Sequence, residues 1–268
     1  MEPVNAANQD GDQHPAGKQP SFAGQGKVDR EGKGCLFVVS TPIGNMEDVT
    51  LRALRILREV DLIAAEDTRR TRKLLSHYDI ATRTISYHDH NKERRTPDLL
   101  ERVRRGANLA IVSDAGTPGI SDPCYYLVVR AIAEGVSVIP VPGPTAAISA
   151  LVVSGLPTDR FVFEGFLPTK EGKCRRRLTE LVSEKRTIVL YESPHRLVKH
   201  VRILSEILGE RRVAVVRELT KRFEEVWRGT LSGFLEQCQK VQPRGEFVLV
   251  VEGAPDGRGE GTRCCHRD

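Results

Sequence analysis

The sequence lacks the features that would tie it to a membrane or to an oxidising compartment. None of its apolar runs approaches the roughly 20 residues that a bilayer-spanning helix needs. The N-terminus carries no basic segment followed by an apolar one, so a secretory signal is not expected. Six cysteines are present (Cys35, Cys124, Cys174, Cys238, Cys264 and Cys265), but they form no C-x-x-C pair and no framework spacing. That usage points to reduced thiols and a cytoplasmic protein. Internal repeats and coiled-coil heptads are absent. Large apolar residues are almost missing from residues 1–33, which are rich in Gln, Gly, Asn and Asp, and residues 254–268 read the same way. Neither stretch can bury a core, so both are expected to be disordered tails.

What is there, over about 34–253, suits an enzyme-sized α/β protein. Hydrophobic residues make up 39% of the chain, enough for a core, and 268 residues leave room for one large domain or two small ones. The net charge is +5, and the tails are not its source: residues 1–33 hold four bases against five acids, and residues 254–268 hold three of each. The remaining 34 bases against 28 acids are a mild excess, which permits a nucleic-acid partner without requiring one.

Short aliphatic runs alternate with helical patterns. Strands are predicted at Leu36–Ser40, Asp61–Ala65, Thr84–Tyr87, Leu109–Ser113 and Val136–Val141. Between the first two, Leu51, Leu54 and Leu57, with Ile56, form an apolar helical stripe behind the cap candidates Asp48 and Thr50. Such alternation implies βαβ units, a parallel sheet and helices on both faces. Later strands are predicted at Arg160–Phe166, Thr187–Tyr191, Val213–Arg217, Glu225–Thr230 and Phe247–Val251. The last three have one short helix among them, which suggests a mixed sheet with antiparallel pairs. Gly155-Leu156-Pro157-Thr158-Asp159 reads as a break between two domains, 34–153 and 158–253. A cleft between them is a natural ligand site.

The loops at the strands' carboxyl ends carry the candidate chemistry, because open α/β sheets hold ligands there. Foremost is Ser113-Asp114-Ala115-Gly116-Thr117-Pro118-Gly119-Ile120-Ser121-Asp122-Pro123. Its glycines admit a ligand to the backbone, its prolines stiffen it, and Ser121 or Asp122 can cap the following helix. The first strand ends in Ser40-Thr41-Pro42-Ile43-Gly44-Asn45, which has neither the GxGxxG spacing of dinucleotide folds nor the GxxxxGK[ST] of P-loops. After the second strand come Glu66 and Asp67, either of which can accept a proton, while Asp67 can equally cap a helix. Arg69, Arg70, Arg72 and Lys73 follow, placed either to grip phosphates or to solvate a helix face. His88-Asp89-His90-Asn91 invites a metal reading, but no third ligand is signalled nearby, so substrate contacts or capping by Asn91 fit better. Val141-Pro142-Gly143-Pro144-Thr145-Ala146-Ala147 opens a helix whose free N–H groups, with Thr145, can receive a carboxylate. In the second half, Tyr191-Glu192-Ser193-Pro194-His195-Arg196 repeats the plan of strand, polar turn and helix start, with His195 and Arg196 as phosphate contacts or surface residues. The basic run Lys170, Lys173, Arg175, Arg176 and Arg177, beside Phe166-Leu167-Pro168, is either a solvated face or an RNA-backbone contact.

Taken in order, Ser40–Asn45, Ala65–Arg69, Tyr87–Asn91, Ser113–Pro123, Val141–Ala146, Ser154–Arg160, Glu192–Arg196, Arg217–Lys221 with Phe223–Glu225, and Gly245–Gly253 resemble the tetrapyrrole (corrin/porphyrin) methylase superfamily. More narrowly they resemble its RsmI-type branch, which acts on small-subunit (16S) rRNA as a (cytidine-2′-O-)-methyltransferase. The resemblance covers about residues 35–253. It implies two α/β domains (a parallel-sheet N-domain and a mixed-sheet C-domain), a homodimer, and S-adenosylmethionine (AdoMet) in the cleft between the domains, with no metal. Carried over by motif, the cofactor contacts would be Ile43, Gly44, Asp114, Thr117, Pro118, Ile120, Thr145 and Ala146, with Leu190, Gly245 and Glu246 on the far wall. Asp67 and Glu66 would be the candidate bases, with His88, Asp114 and Glu192 behind them. Arg69, Arg70, His88, Asn91, His195 and Arg196 would face the RNA. Methylation of a porphyrin or corrin precursor, or a non-catalytic assembly factor, are the competing readings. Three positions depart from the family pattern. Cys124 stands where Gly is expected and would crowd the helix start, Thr117 stands where Asp is frequent, and Arg244 stands where Lys is more usual.

Overall fold

The computed structural model describes residues 32–240 and 243–255. Apart from two residues each, the expected tails lie outside that range. The first sheet contains β1 (Cys35–Val39), β2 (Leu62–Ala65), β3 (Thr84–Ser86), β4 (Leu109–Val112) and β5 (Ser137–Val141), in the order β3-β2-β4-β1-β5 with every pair parallel. Its central strands are aliphatic because both faces are covered: β2 and β4 are buried at every residue. Helices α1 (Leu51–Glu59) and α2 (Thr68–His77) pack on one face, while α3 (Lys92–Arg104) and α4 (Cys124–Ala133) pack on the other.

The second sheet contains β6 (Phe161–Phe166), β7 (Thr187–Glu192), β8 (Arg212–Arg217), β9 (Glu225–Thr230) and β10 (Phe247–Val251), ordered β6-β7-β10-β8-β9. Only β6 and β7 are parallel; the other three pairs are antiparallel, as the close spacing of the late strands implies. Helices α6 (Glu171–Glu180), α7 (Pro194–Leu208) and α8 (Leu231–Lys240) cover one face. The other face is met by α5 (Ala146–Val153), through Ala147, Ala150 and Leu151. Thus α5 precedes the Gly155–Asp159 break in the chain yet packs on the sheet that follows it. Each strand end lies within one residue of its sequence expectation. Among the described residues no helix is long and apolar enough to cross a membrane.

Helix starts follow the cap chemistry. Thr50 Oγ1 accepts the Ala53 N–H at 3.1 Å and begins α1. Removing that acceptor leaves one N-terminal N–H unpaired, so Thr50→Ala is expected to cost about 1 kcal/mol, read as a lower urea midpoint.

A candidate active-site cavity between the two sheets

A cavity of about 360 Å³ opens between the ends of the two sheets, within the range of small-molecule pockets. The loop after β4 is its floor. Its backbone is tied to the loop after β1, where Thr41 and Gly116 exchange N–H···O bonds of 2.9 and 3.0 Å. Gly116 sits at φ +77°, and a Cβ there would lie 3.3 Å from an Ile43 methyl, so the tie needs glycine. Thr117 Oγ1 donates to the Pro144 carbonyl at 3.2 Å and pairs with Ser40 Oγ at 3.0 Å. It lines the cavity while joining three loops, with its one proton engaged by Pro144.

A second tie crosses to β2. Glu66 Oε2 accepts the Asp114 N–H at 3.2 Å, and Asp114 Oδ1 accepts the Asp67 N–H at 2.9 Å. Arg70 Nε lies 3.6 Å from Asp114 Oδ2. Glu66, Asp114 and Arg70 all line the cavity. Burial is the largest influence on Glu66 and lifts its carboxyl above the usual carboxylate range. The Asp114 N–H pulls the other way, and the charges of Asp114, Asp122 and Asp89 add to the rise.

The two adjacent carboxylates therefore have different roles. Asp67 is the N-cap of α2: Oδ1 accepts the Arg69 N–H at 2.8 Å, which holds its carboxyl below the ordinary range. Asp67 is not among the lining residues, so of the two expected bases only Glu66 meets the cavity. Asp122 fills the corresponding role ahead of α4, taking the Gly119 and Cys124 N–H groups at 2.9 Å. The Cys124 side chain does not crowd that start; it is fully buried in the core, and burial pushes its thiol well up.

Of the expected cofactor contacts, Ile43, Asp114, Thr117, Ile120, Thr145, Ala146 and Glu246 line the cavity. Four others do not. Leu190 is fully buried on the opposite face of its sheet, against α6, α7 and α8, because alternation along β7 sends its neighbours Tyr191 and Val189 the other way. Gly44 is required by loop docking: a Cβ there would meet Lys221 Cγ at 2.5 Å, Thr220 Oγ1 at 2.7 Å and the Leu219 carbonyl at 2.8 Å. Gly245 plays the same part, since its Cβ would meet the Glu218 side chain at 2.6–2.7 Å. Pro118 is buried.

The expected RNA contacts divide in the same way. Arg69 and His195 are exposed. His88 and Asn91 build their own turn: Asn91 Oδ1 accepts the His88 N–H at 3.0 Å, and Asn91 Nδ2 reaches the Ser86 carbonyl and His88 Nε2. Among the described residues no cluster of His, Cys, Asp and Glu is arranged to hold a metal. Arg196 sits beside the cavity, with Nε 3.1 Å from Ser193 Oγ and 3.3 Å from Glu192 Oε1. Glu192 is a buried wall residue whose other oxygen meets His200 Nδ1. His200 was invisible to sequence reasoning, since one histidine in an apolar helical stripe gives no sign of its partner.

The Tetrapyrrole (Corrin/Porphyrin) Methylases family model matches residues 35–234. The chain belongs to that family. Among its relatives, the "Ribosomal RNA small subunit methyltransferase I" of Halalkalibacterium halodurans is 53% identical over 84% of this chain and 78% of its own length. The protein of the same name from Synechocystis is 54% identical over 84% and 81%. The uroporphyrin-III C-methyltransferase of Thermus thermophilus, solved in complex with S-adenosylhomocysteine, shares the family fold at TM-score 0.58 and 23% identity, covering 82% of this chain and 97% of its own.

The placement of Leu190 has a direct test. Leu190→Ala empties a closed core site and is expected to cost about 2–5 kcal/mol of stability in a urea titration.

Proposed function

We propose that this protein transfers a methyl group from AdoMet to the ribose 2′-hydroxyl of one decoding-centre cytidine of 16S rRNA, presented on the small ribosomal subunit. The observation that carries the reading is the cavity itself, in which a half-buried carboxylate, Glu66, and an arginine, Arg70, face a wall from the second sheet. The two relatives near 50% identity, both named as small-subunit rRNA methyltransferases, support the substrate class.

The residues present fit the cofactor. Gly116 keeps a side chain out of the floor, and Thr145 starts α5 without a side-chain cap, so N–H groups of its first turn, other than that of Ala147 beside the Tyr191 hydroxyl, can receive a carboxylate. Ile43, Thr117, Ile120, Thr145, Ala146 and Glu246 would hold it. Bound AdoMet supplies a methyl carbon on a positively charged sulfur. The chain's part is alignment and proton removal. Holding the ribose oxygen in line with the methyl carbon can supply about 7–11 kcal/mol of the barrier. Glu66 takes the hydroxyl proton as the new C–O bond forms; burial makes it a stronger base than an exposed glutamate. Asp67 is occupied by its cap, and both oxygens of Glu192 already have partners. Arg70 and Arg196 are placed to meet the flanking phosphates.

A homodimer fits the outer surface. Helices α4 and α5 are apolar on their outward sides as well, with Tyr125, Ile132 and Val152 each more than 60% exposed. Apolar faces of this kind mark interaction surfaces. A cytoplasmic location follows from the ribosomal substrate.

Three measurements test this reading. Labelled AdoMet is supplied to small subunits from cells lacking the gene, and the RNA is analysed by nucleoside mass spectrometry. A 2′-O-methylated cytidine is expected; no transfer, with AdoMet binding intact, would redirect attention to a tetrapyrrole substrate. In the same assay Glu66→Gln is expected to lower kcat by about 10²–10⁴-fold with AdoMet affinity kept, whereas Asp67→Asn, whose amide oxygen also caps, stays near wild type. The base must be ionised, so the wild-type rate falls as pH drops through the Glu66 pKa. That acid limb is expected above the ordinary glutamate range and absent from Glu66→Gln.

A further inference from the structure

A wall of the cavity carries an aromatic side chain that no step above uses. Phe166 is the last residue of β6, lines the cavity, and is 52% exposed. The ring therefore presents uncovered apolar surface at the cavity wall, where a flat apolar partner would remove it from water. Its orientation comes from a β-bulge. Phe161 and Phe163 pair with Thr187 and Val189, then the register shifts so that Gly165 pairs with Leu190 and Phe166 with Tyr191. With strict alternation, Phe166 would fall on the helix-covered face; the extra residue returns it to the face shared by Phe163 and Tyr191. Gly165 permits this at φ +62°, where a side chain is strained and a Cβ would lie 3.0 Å from Ser121 Oγ.

The ring is then held from two sides. Tyr191 meets it edge-on with centroids 5.6 Å apart, and Phe163 supports Tyr191 in turn at 5.0 Å. The Arg196 guanidinium lies over the ring, 5.9 Å from its centroid. Glu192 and Ser193 anchor that arginine, and Glu192 is itself gripped by buried His200. An exposed ring braced by an aromatic and an arginine is how proteins receive an unstacked base. Just beyond it, Lys170, Lys173 and Arg176 are exposed, whereas Arg175 and Arg177 are engaged by carboxylates.

We infer that Phe166, braced by Tyr191 and Arg196, is the stacking platform for the base of the target nucleotide, holding it out of the RNA stack so that its ribose reaches Glu66. This rests on the rRNA-methyltransferase reading above and adds the site that takes the nucleobase.

The test uses the full chain, small subunits from cells lacking the gene, and tritiated AdoMet. Phe166→Leu keeps an apolar side chain and removes the ring; Phe166→Tyr keeps the ring. Phe166→Leu is expected to lower kcat/KM for subunits by about 5- to 150-fold. AdoMet affinity by calorimetry and the melting temperature are expected to remain at wild type, and Phe166→Tyr to recover most of the loss. Full efficiency of Phe166→Leu, or a parallel fall in its AdoMet affinity, overturns the platform while leaving the methyltransferase reading intact. Absence of transfer by the wild-type protein overturns both.

Discussion

The cavity depends on one constraint: the Ser113–Thr117 segment must leave β4 and stop against two neighbouring loops. Backbone bonds between Thr41 and Gly116 secure one side, and the reciprocal Glu66–Asp114–Asp67 bonds secure the other. Both ties are short-range and polar, and both sit at strand ends, where sheet hydrogen bonding runs out and unpaired groups need partners. Their by-product is a floor of main chain and small side chains with a carboxylate at its edge. Burial of that carboxylate shifts its protonation toward the range useful for a base.

The second sheet contributes differently. It brings loop docking and side-chain bulk, with few hydrogen bonds to the floor. The Leu219–Lys221 turn sits against Gly44, and the Asn45 N–H donates to Thr220 Oγ1 at 3.0 Å. Lys221 also bonds Glu218 and Glu246 at 2.9 and 3.0 Å, which stiffens the turn that faces the first half. The glycine at 44 is thus needed where one half of the chain approaches the other, and the glycine at 245 where two loops of the second half meet. They carry the same residue signature as a ligand-binding glycine, because in both cases a side chain would occupy space that something else requires.

Much of the architecture was legible along the chain. Bounded aliphatic runs such as Leu109–Val112 and the helical stripe of Leu51–Leu57 locate strands and helices because burial on both faces, or on one stripe, imposes a period. Cap residues located helix starts, and Asp67 shows the limit of that reading: an acidic residue after a strand serves a cap and a catalyst equally well until its neighbours are known. Leu190 and Phe166 mark a second limit. Both belong to strands read correctly, yet the face each presents depends on its strand's course: plain alternation along β7 turns Leu190 to the core, and a single bulge at Glu164–Gly165 reverses Phe166.

By itself the sequence determined the alternation of elements, the parallel first sheet and mixed second one, and the loops on which chemistry would lie. These follow from local periodicity, turn chemistry and motif order, all of which are written in neighbouring residues. Tertiary structure alone decided which loop residues face the cavity: Glu66 inward and Asp67 to its helix, Tyr191 inward and Leu190 to the core, Gly44 against a turn. It also joined His200 to Glu192 and Arg196 to Phe166. Those choices are made by strand register and by the packing of residues distant in the chain, and neither leaves a pattern that a reading along the chain can detect.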